Sequence, residues 1–165
     1  MILVTVGTQG PFDRLIQAVD RWAAAAGRSD ILAQIGPQAW KPSHIRWTEF
    51  LEPPAFRTAF EDAEIIVSHA GIGTLVAALE LGKTIVVMPR LARLREHRND
   101  HQVATAEHFC RKHNVRVASN EGDLAGALDE TVRMATKELI PAPRTSLLPS
   151  STLLQSVRAF IEASP

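Results

Sequence analysis

Four groups of residues in this chain have the types and spacing that chemistry needs. Ser68-His69-Ala70-Gly71-Ile72-Gly73-Thr74 follows the apolar run Ile65-Ile66-Val67 and reads as a strand end, a glycine turn and a helix start. Glycines there let backbone N–H groups approach a ligand at the positive end of a helix, which is how α/β proteins hold phosphate. Val6-Gly7-Thr8-Gln9-Gly10 repeats the arrangement after the first apolar run, although a tight turn alone also asks for glycine. His101-Gln102, just after Asn99-Asp100, suits hydrogen bonding to a polyhydroxyl ligand or a solvated helix start. Arg90, Arg93, Arg95 and Arg98 crowd one loop with His97, either as solvated charge or as partners of a diphosphate on a mobile lid. Together these groups point to a nucleotide-linked ligand.

Other reactive side chains carry less. His69 ends a buried strand, a place where a hydrogen-bonded structural histidine is commoner than a general base. His97, His101 and His108 lack the Cys or Glu neighbours of a zinc motif, so no metal site is expected. Cys110 falls in a helical stretch and reads as a packed or bystander thiol.

The elements that position these groups alternate from the first residue. Strands are expected at Ile2–Val6, Ile31–Ile35, Ile45–Leu51, Ile65–Val67, Ile85–Met88 and Val115–Ala118. Helices are expected over Phe12–Ala26, from Pro53-Pro54 to Ala63, over Leu75–Leu81, Asn99–His113 and Asp123–Ala135. Such alternation implies a Rossmann-like α/β fold: a parallel sheet with helices on both faces and its ligand at the strands' carboxyl ends. Both glycine turns fall at such ends. The domain is read as residues 1–136, with a proline-rich connector over 137–150 (Pro141, Pro143, Pro149) and a last helix over 151–165. That helix carries Leu153, Leu154, Val157, Phe160 and Ile161 on one face and would pack on its own domain or on a partner.

Composition narrows the class. The 165 residues, 45% apolar, can bury one core. With 18 basic and 18 acidic residues, a general nucleic-acid surface is disfavoured. One cysteine excludes an intramolecular disulfide framework and suits a reducing compartment. No apolar run reaches membrane-spanning length, and no basic segment precedes the first strand, so a cytoplasmic protein is expected.

The motifs resemble the C-terminal, donor-binding half of family 28 glycosyltransferases. The resemblance rests on Ile2-Leu3-Val4-Thr5-Val6-Gly7-Thr8, Pro11-Phe12-Asp13-Arg14-Leu15, Val67 to Thr74, Leu81-Gly82-Lys83, Val87-Met88-Pro89-Arg90 and Glu96 to Ala104, over about residues 1–135. Within that group the chain is similar to the small cytosolic subunits of two-part enzymes, the bacterial exopolysaccharide type in particular. The resemblance implies one half of a GT-B architecture and a UDP-sugar donor with no metal. It implies a diphosphate held by Gly7, Thr8, Gly71, Gly73 and Thr74, with Arg90 in charge-assisted contact. His101 and Gln102 would meet the donor sugar, and Leu51 and Phe56 the uracil.

Two departures from the family pattern qualify these expectations. The family commonly carries a ribose-binding glutamate three residues after the threonine of the glycine turn; here that residue is Ala77, with Glu80 one turn further on as a substitute. The family's acceptor half, which usually holds the catalytic base, would precede the first strand. A membrane-attached partner subunit is therefore expected to supply both, holding this chain peripherally at the inner membrane. The rival reading is an accessory subunit without chemistry, and self-association is left open.

Overall fold

The computed structural model describes residues 1–112 and 114–138. Its strands are β1 (Ile2–Thr5), β2 (Ile31–Gln34), β3 (Arg46–Thr48), β4 (Ile65–His69), β5 (Thr84–Met88) and β6 (Val115–Val117). They form one sheet in the order β3-β2-β1-β4-β5-β6, with every neighbouring pair parallel. The order reverses between β1 and β4, the place where a doubly wound sheet opens a crevice at its carboxyl edge. Thr5 lies opposite Ser68 in that pairing, so the turns that follow the two strands sit side by side.

Alternation along the strands sorts the core into two layers. Ile2, Val4, Val67 and Val86 face α1 (Asp13–Ala26) and α5 (Glu121–Glu138), meeting Leu15, Ile16, Val19, Leu124 and Leu128. Leu3, Ile66, Ile85 and Val87 face α2 (Pro53–Asp62), α3 (Ile72–Glu80) and α4 (His101–Phe109), meeting Phe60, Leu75, Ala78, Ala106 and Phe109. The chain is thus a Rossmann-like α/β domain, as its alternating pattern implied.

Boundaries moved where local capping overrode periodicity. Helix α5 starts at Glu121, two residues earlier than expected, because Asn120 Oδ1 accepts the N–H groups of Gly122 (2.8 Å) and Asp123 (3.1 Å). Strand β3 is only three residues long; its expected continuation to Leu51 turns away instead, held by the Leu51 N–H donating to Gln34 Oε1 at 2.9 Å. Helix α4 ends at Phe109, which leaves Cys110 exposed with its thiol on the Glu107 carbonyl. Apart from the last turn of α5, the expected connector and C-terminal helix lie outside the described residues.

The α1–α5 layer rests on side chains with no exposure, Leu128 among them. Leu128→Ala should cost about 2–5 kcal/mol of unfolding free energy through lost transfer and a residual cavity. Urea denaturation would show this as a lower midpoint at unchanged slope.

Candidate functional site

A cleft of about 950 Å³ lies at the carboxyl edge of β1 and β4. One wall is the β1–α1 turn with Gly7, Thr8 and Gln9; the floor is His69, Gly71, Gly73 and Thr74 at the start of α3; α4 contributes His101 and Gln102. The far end is built from Phe50, Leu51, Phe56 and Arg57 across from Ala77 and Glu80. The structure therefore brings Gly7, Thr8, Leu51, Phe56, Gly71, Gly73, Thr74, Glu80, His101 and Gln102 into one space, and Arg90 is the sequence-predicted residue it leaves out.

The glycines of the floor have different causes. The His69 ring lies between the two turns, so a Cβ on Gly7 would stand 2.6 Å from its Cε1 and one on Gly71 would stand 2.2 Å from its Nε2. Both glycines make room for an imidazole, and Gly7 also has a φ of +75°. Gly73 is otherwise: a Cβ there would meet nothing within 4 Å. Glycine is among the poorest helix formers, so its place in the first turn of α3 is not explained by helix propensity. The fold has no packing need for it, and the space it leaves belongs to the cleft.

Helix α3 opens without a side-chain cap. Its first intrahelical bond runs from the Leu75 N–H to the Gly71 carbonyl, 3.1 Å, so the N–H groups of Ile72, Gly73 and Thr74 precede the hydrogen-bonded ladder. Three donors and the positive end of a helix face a cleft floored by a residue with no side chain. That arrangement accepts an anion.

Arg90 corrects the expectation of a diphosphate contact. It is 2% exposed and its guanidinium sits behind the β1–α1 turn. Nη1 donates to the Pro11 carbonyl at 2.7 Å and the Glu96 carbonyl at 3.4 Å, and Nη2 donates to Val6 (3.0 Å) and Gly10 (2.8 Å). The cation also stacks on Phe12, 4.7 Å from the ring centroid. With both Nη groups taken by carbonyls and Nε left without a partner, Arg90 shapes the turn instead of lining the cleft.

The loop after β5 is likewise not a free lid. Glu96 takes a two-pronged contact from Arg14, Nε to Oε1 and Nη2 to Oε2 at 2.8 Å each, and also accepts the Leu91 N–H at 2.9 Å. Asp100 Oδ1 accepts the Ala92 N–H at 2.8 Å. Arg93, Arg95 and Arg98 point to solvent and do not line the cleft.

Gln102 is 2% exposed, and its Oε1 accepts the Arg90 backbone N–H at 3.1 Å. That bond uses the amide oxygen as acceptor, which leaves the NH₂ of this cleft-lining residue as its donor. The His97 and His101 rings pack edge to face, 4.4 Å between centroids, and His97 Nε2 shares a 2.8 Å hydrogen bond with Gln9 Oε1. Burial first, then His97, lowers the pKa of His101. Among the described residues, no cluster of three or more His, Cys, Asp or Glu is placed to hold a metal ion.

The glycosyltransferase family 28 C-terminal domain profile matches residues 1–155. The chain belongs to that family. No curated protein gives a significant match. Among solved structures, the glycotransferase of kitacinnamycin superposes with a TM-score of 0.59 at 21% identity, covering 96% of this chain and 38% of that one. A spinosyn forosaminyltransferase superposes with a TM-score of 0.58 at 16% identity, covering 99% and 40%. The chain thus spans about two fifths of the length of these structures, and its fold is that of the C-terminal half of a GT-B glycosyltransferase.

In this glycosyltransferase domain several lining residues escaped sequence reasoning. Gln34 ends β2, is buried, and holds the Leu51 N–H; a lone amide closing an apolar strand was the available signal. Phe50, Pro53, Arg57, Phe60 and Glu61 join the far wall because α2 packs over the sheet edge, which no local spacing announces.

His69 is the strongest titration signal. Burial, then the Arg90 charge, push its pKa down to about 4, while a hydrogen bond to the Thr5 backbone works the other way. The folded state therefore holds His69 neutral, whereas the unfolded chain binds a proton below its ordinary value of about 6.5. Between those values the unfolded state binds more protons, so stability is retained above pH 6.5 and lost as pH falls toward 4. His69→Gln should remove a loss on the order of 2–3 kcal/mol across that window. Urea midpoints measured at several pH values would check it; identical slopes against pH for the two proteins would refute it.

Proposed function

We propose that this domain binds the donor, a UDP-sugar, for an inverting, metal-independent glycosyltransferase. The observation that carries the reading is Gly73. It is a glycine with no packing role at an uncapped helix start, where the sheet order reverses, beside free N–H groups. A diphosphate laid on Ile72, Gly73 and Thr74 would have its negative charge met by those N–H groups and the helix dipole, with Thr8 and the β1–α1 turn across from it. The buried Arg90 cation behind that turn adds field without contact.

Along the cleft from that point, the donor sugar would reach Gln102 and His101, and the base and ribose would extend toward Leu51, Phe56 and Glu80. As the glycosidic bond to phosphate breaks, charge grows on the diphosphate, and preorganised donors stabilise the transition state more than the ground state. We assign the acceptor, a lipid-linked saccharide of polysaccharide biosynthesis, and the base that activates its hydroxyl to a membrane-attached partner subunit. Ala77 favours a second reading, a non-catalytic accessory subunit, since a methyl group offers the ribose hydroxyls no acceptor. UDP-sugar binding by the chain alone separates the two, because an accessory subunit need not bind at all.

Calorimetry should detect UDP binding in EDTA buffer, undiminished by the absence of magnesium; no heat at millimolar UDP would end the donor reading. Gly73→Val should abolish that binding with little change in melting temperature, because its side chain enters open cleft and not the core.

Gln102→Ala should weaken UDP-sugar by about 0.5–1.5 kcal/mol, the worth of one hydrogen bond to a neutral hydroxyl, while UDP itself binds nearly as before. Equal weakening of both ligands would place Gln102 on the nucleotide and not on the sugar.

A further inference from the structure

The chain carries equal numbers of basic and acidic residues, yet one short turn concentrates cations. Between β5 and α4 the backbone forms a 3₁₀ turn at Ala92–Leu94, closed by Arg95 in the left-handed region at φ +58°. Arg93, Arg95 and Arg98 are exposed, and among the described residues no carboxylate pairs with any of them. The turn's own acids face elsewhere: Glu96 is committed to Arg14 and the Leu91 N–H, and Asp100 to the Ala92 N–H. Leu94 stands among these arginines with 44% of its surface exposed.

A merely solvated charged loop has no need of such anchoring. Here Glu96 is joined to α1 by two charge-assisted bonds, and the Leu94, Arg95 and Glu96 N–H groups all close back on Leu91 or Ala92 carbonyls. The result is a fixed knob with an apolar tip and a basic collar. It adjoins the cleft through His97, which bonds Gln9 and packs on His101.

We propose that this knob docks on an anionic lipid surface, with Leu94 entering the headgroup region and Arg93, Arg95 and Arg98 meeting the phosphates. Charge complementarity favours lipid phosphate over a folded partner, because three exposed arginines outnumber the one exposed acid of the turn, Asp100, and the apolar element is one side chain wide. Contact of this kind is weak and reversible. It would turn the His101 end of the cleft toward the bilayer and add to any hold that a partner supplies.

The test uses the full chain and two vesicle preparations, phosphatidylcholine alone and phosphatidylcholine mixed with phosphatidylglycerol, read by flotation. Binding is expected to the anionic vesicles only and to fall as salt rises. Each arginine should contribute about fivefold, so the combined Arg93→Gln, Arg95→Gln, Arg98→Gln variant should lose roughly a hundredfold. Leu94→Gln should lose several-fold in vesicle binding with its salt dependence unchanged. Melting temperature and UDP affinity should stay as in the wild type, since these side chains lie outside both core and cleft. Equal binding to the two preparations, or full binding by the triple variant, overturns the proposal. A triple variant that keeps vesicle binding but loses a membrane-attached protein partner in detergent makes the knob a protein interface. Loss of UDP affinity makes it part of the donor site. Either result also overturns the lipid assignment.

Discussion

A guanidinium removed from water is costly unless its N–H groups find acceptors, and the two Nη groups of Arg90 find four in backbone carbonyls, Nε alone going without. Three of them, from Val6, Gly10 and Pro11, belong to the turn after β1. Peptide units are planar and trans, so the Val6 and Pro11 carbonyls drawn toward Arg90 turn the N–H groups of Gly7 and Phe12 away from it, while the Gly10 unit, ending on Pro11, has no N–H to place. The turn thereby holds a fixed shape at the lip of the cleft. The same residue's backbone N–H fixes the Gln102 amide, and its charge helps to keep His69 neutral between Gly7 and Gly71. Three walls of the site thus refer to one buried residue, two through its side chain and one through its backbone N–H.

This dependence explains why the fold was legible and part of the site was not. Continuous apolar runs at β1, β4 and β5, separated by helical periodicity, imply a parallel sheet whatever the details of its loops. The glycine turns announce where its ligand edge lies. What spacing cannot say is which way an arginine points: Arg90 and Arg93 are three residues apart in one loop, one buried and the other exposed. Their separation is made by Phe12, whose ring offers the buried guanidinium a face, and by a turn 80 residues away in sequence whose carbonyls need donors. For Gln34 the sequence offered only a lone amide closing an apolar strand, and not its partner, because the Leu51 N–H is made available only once β3 stops short.

The glycines show how one motif can hold two kinds of constraint. Gly7 and Gly71 are glycine because an imidazole fills the volume a side chain would need, and in that sense they are core packing positions. Gly73 is glycine although the fold would accept alanine. Read as a string, the segment gives all three the same weight. Only the geometry separates the residues that build the floor from the one that leaves it bare.

The arrangement also bears on how the proposed donor site would meet the charge of a diphosphate. Helix-start N–H groups and a buried cation are fixed before any ligand arrives, so they need no reorganisation when negative charge develops. Arg90 cannot lose its proton in the working pH range, and its carbonyl cage supplies no carboxylate; of the two acids that act on it, Glu96 and Asp13, Glu96 is itself paired with Arg14. His69, held neutral, adds no second buried cation beside it. A charged His69 would strengthen the anion site but would place two like charges in one low-dielectric space, where repulsion and desolvation both oppose it. Keeping the guanidinium charged and the imidazole neutral lets the fold present a positive field at the floor of the cleft and remain stable with the site empty.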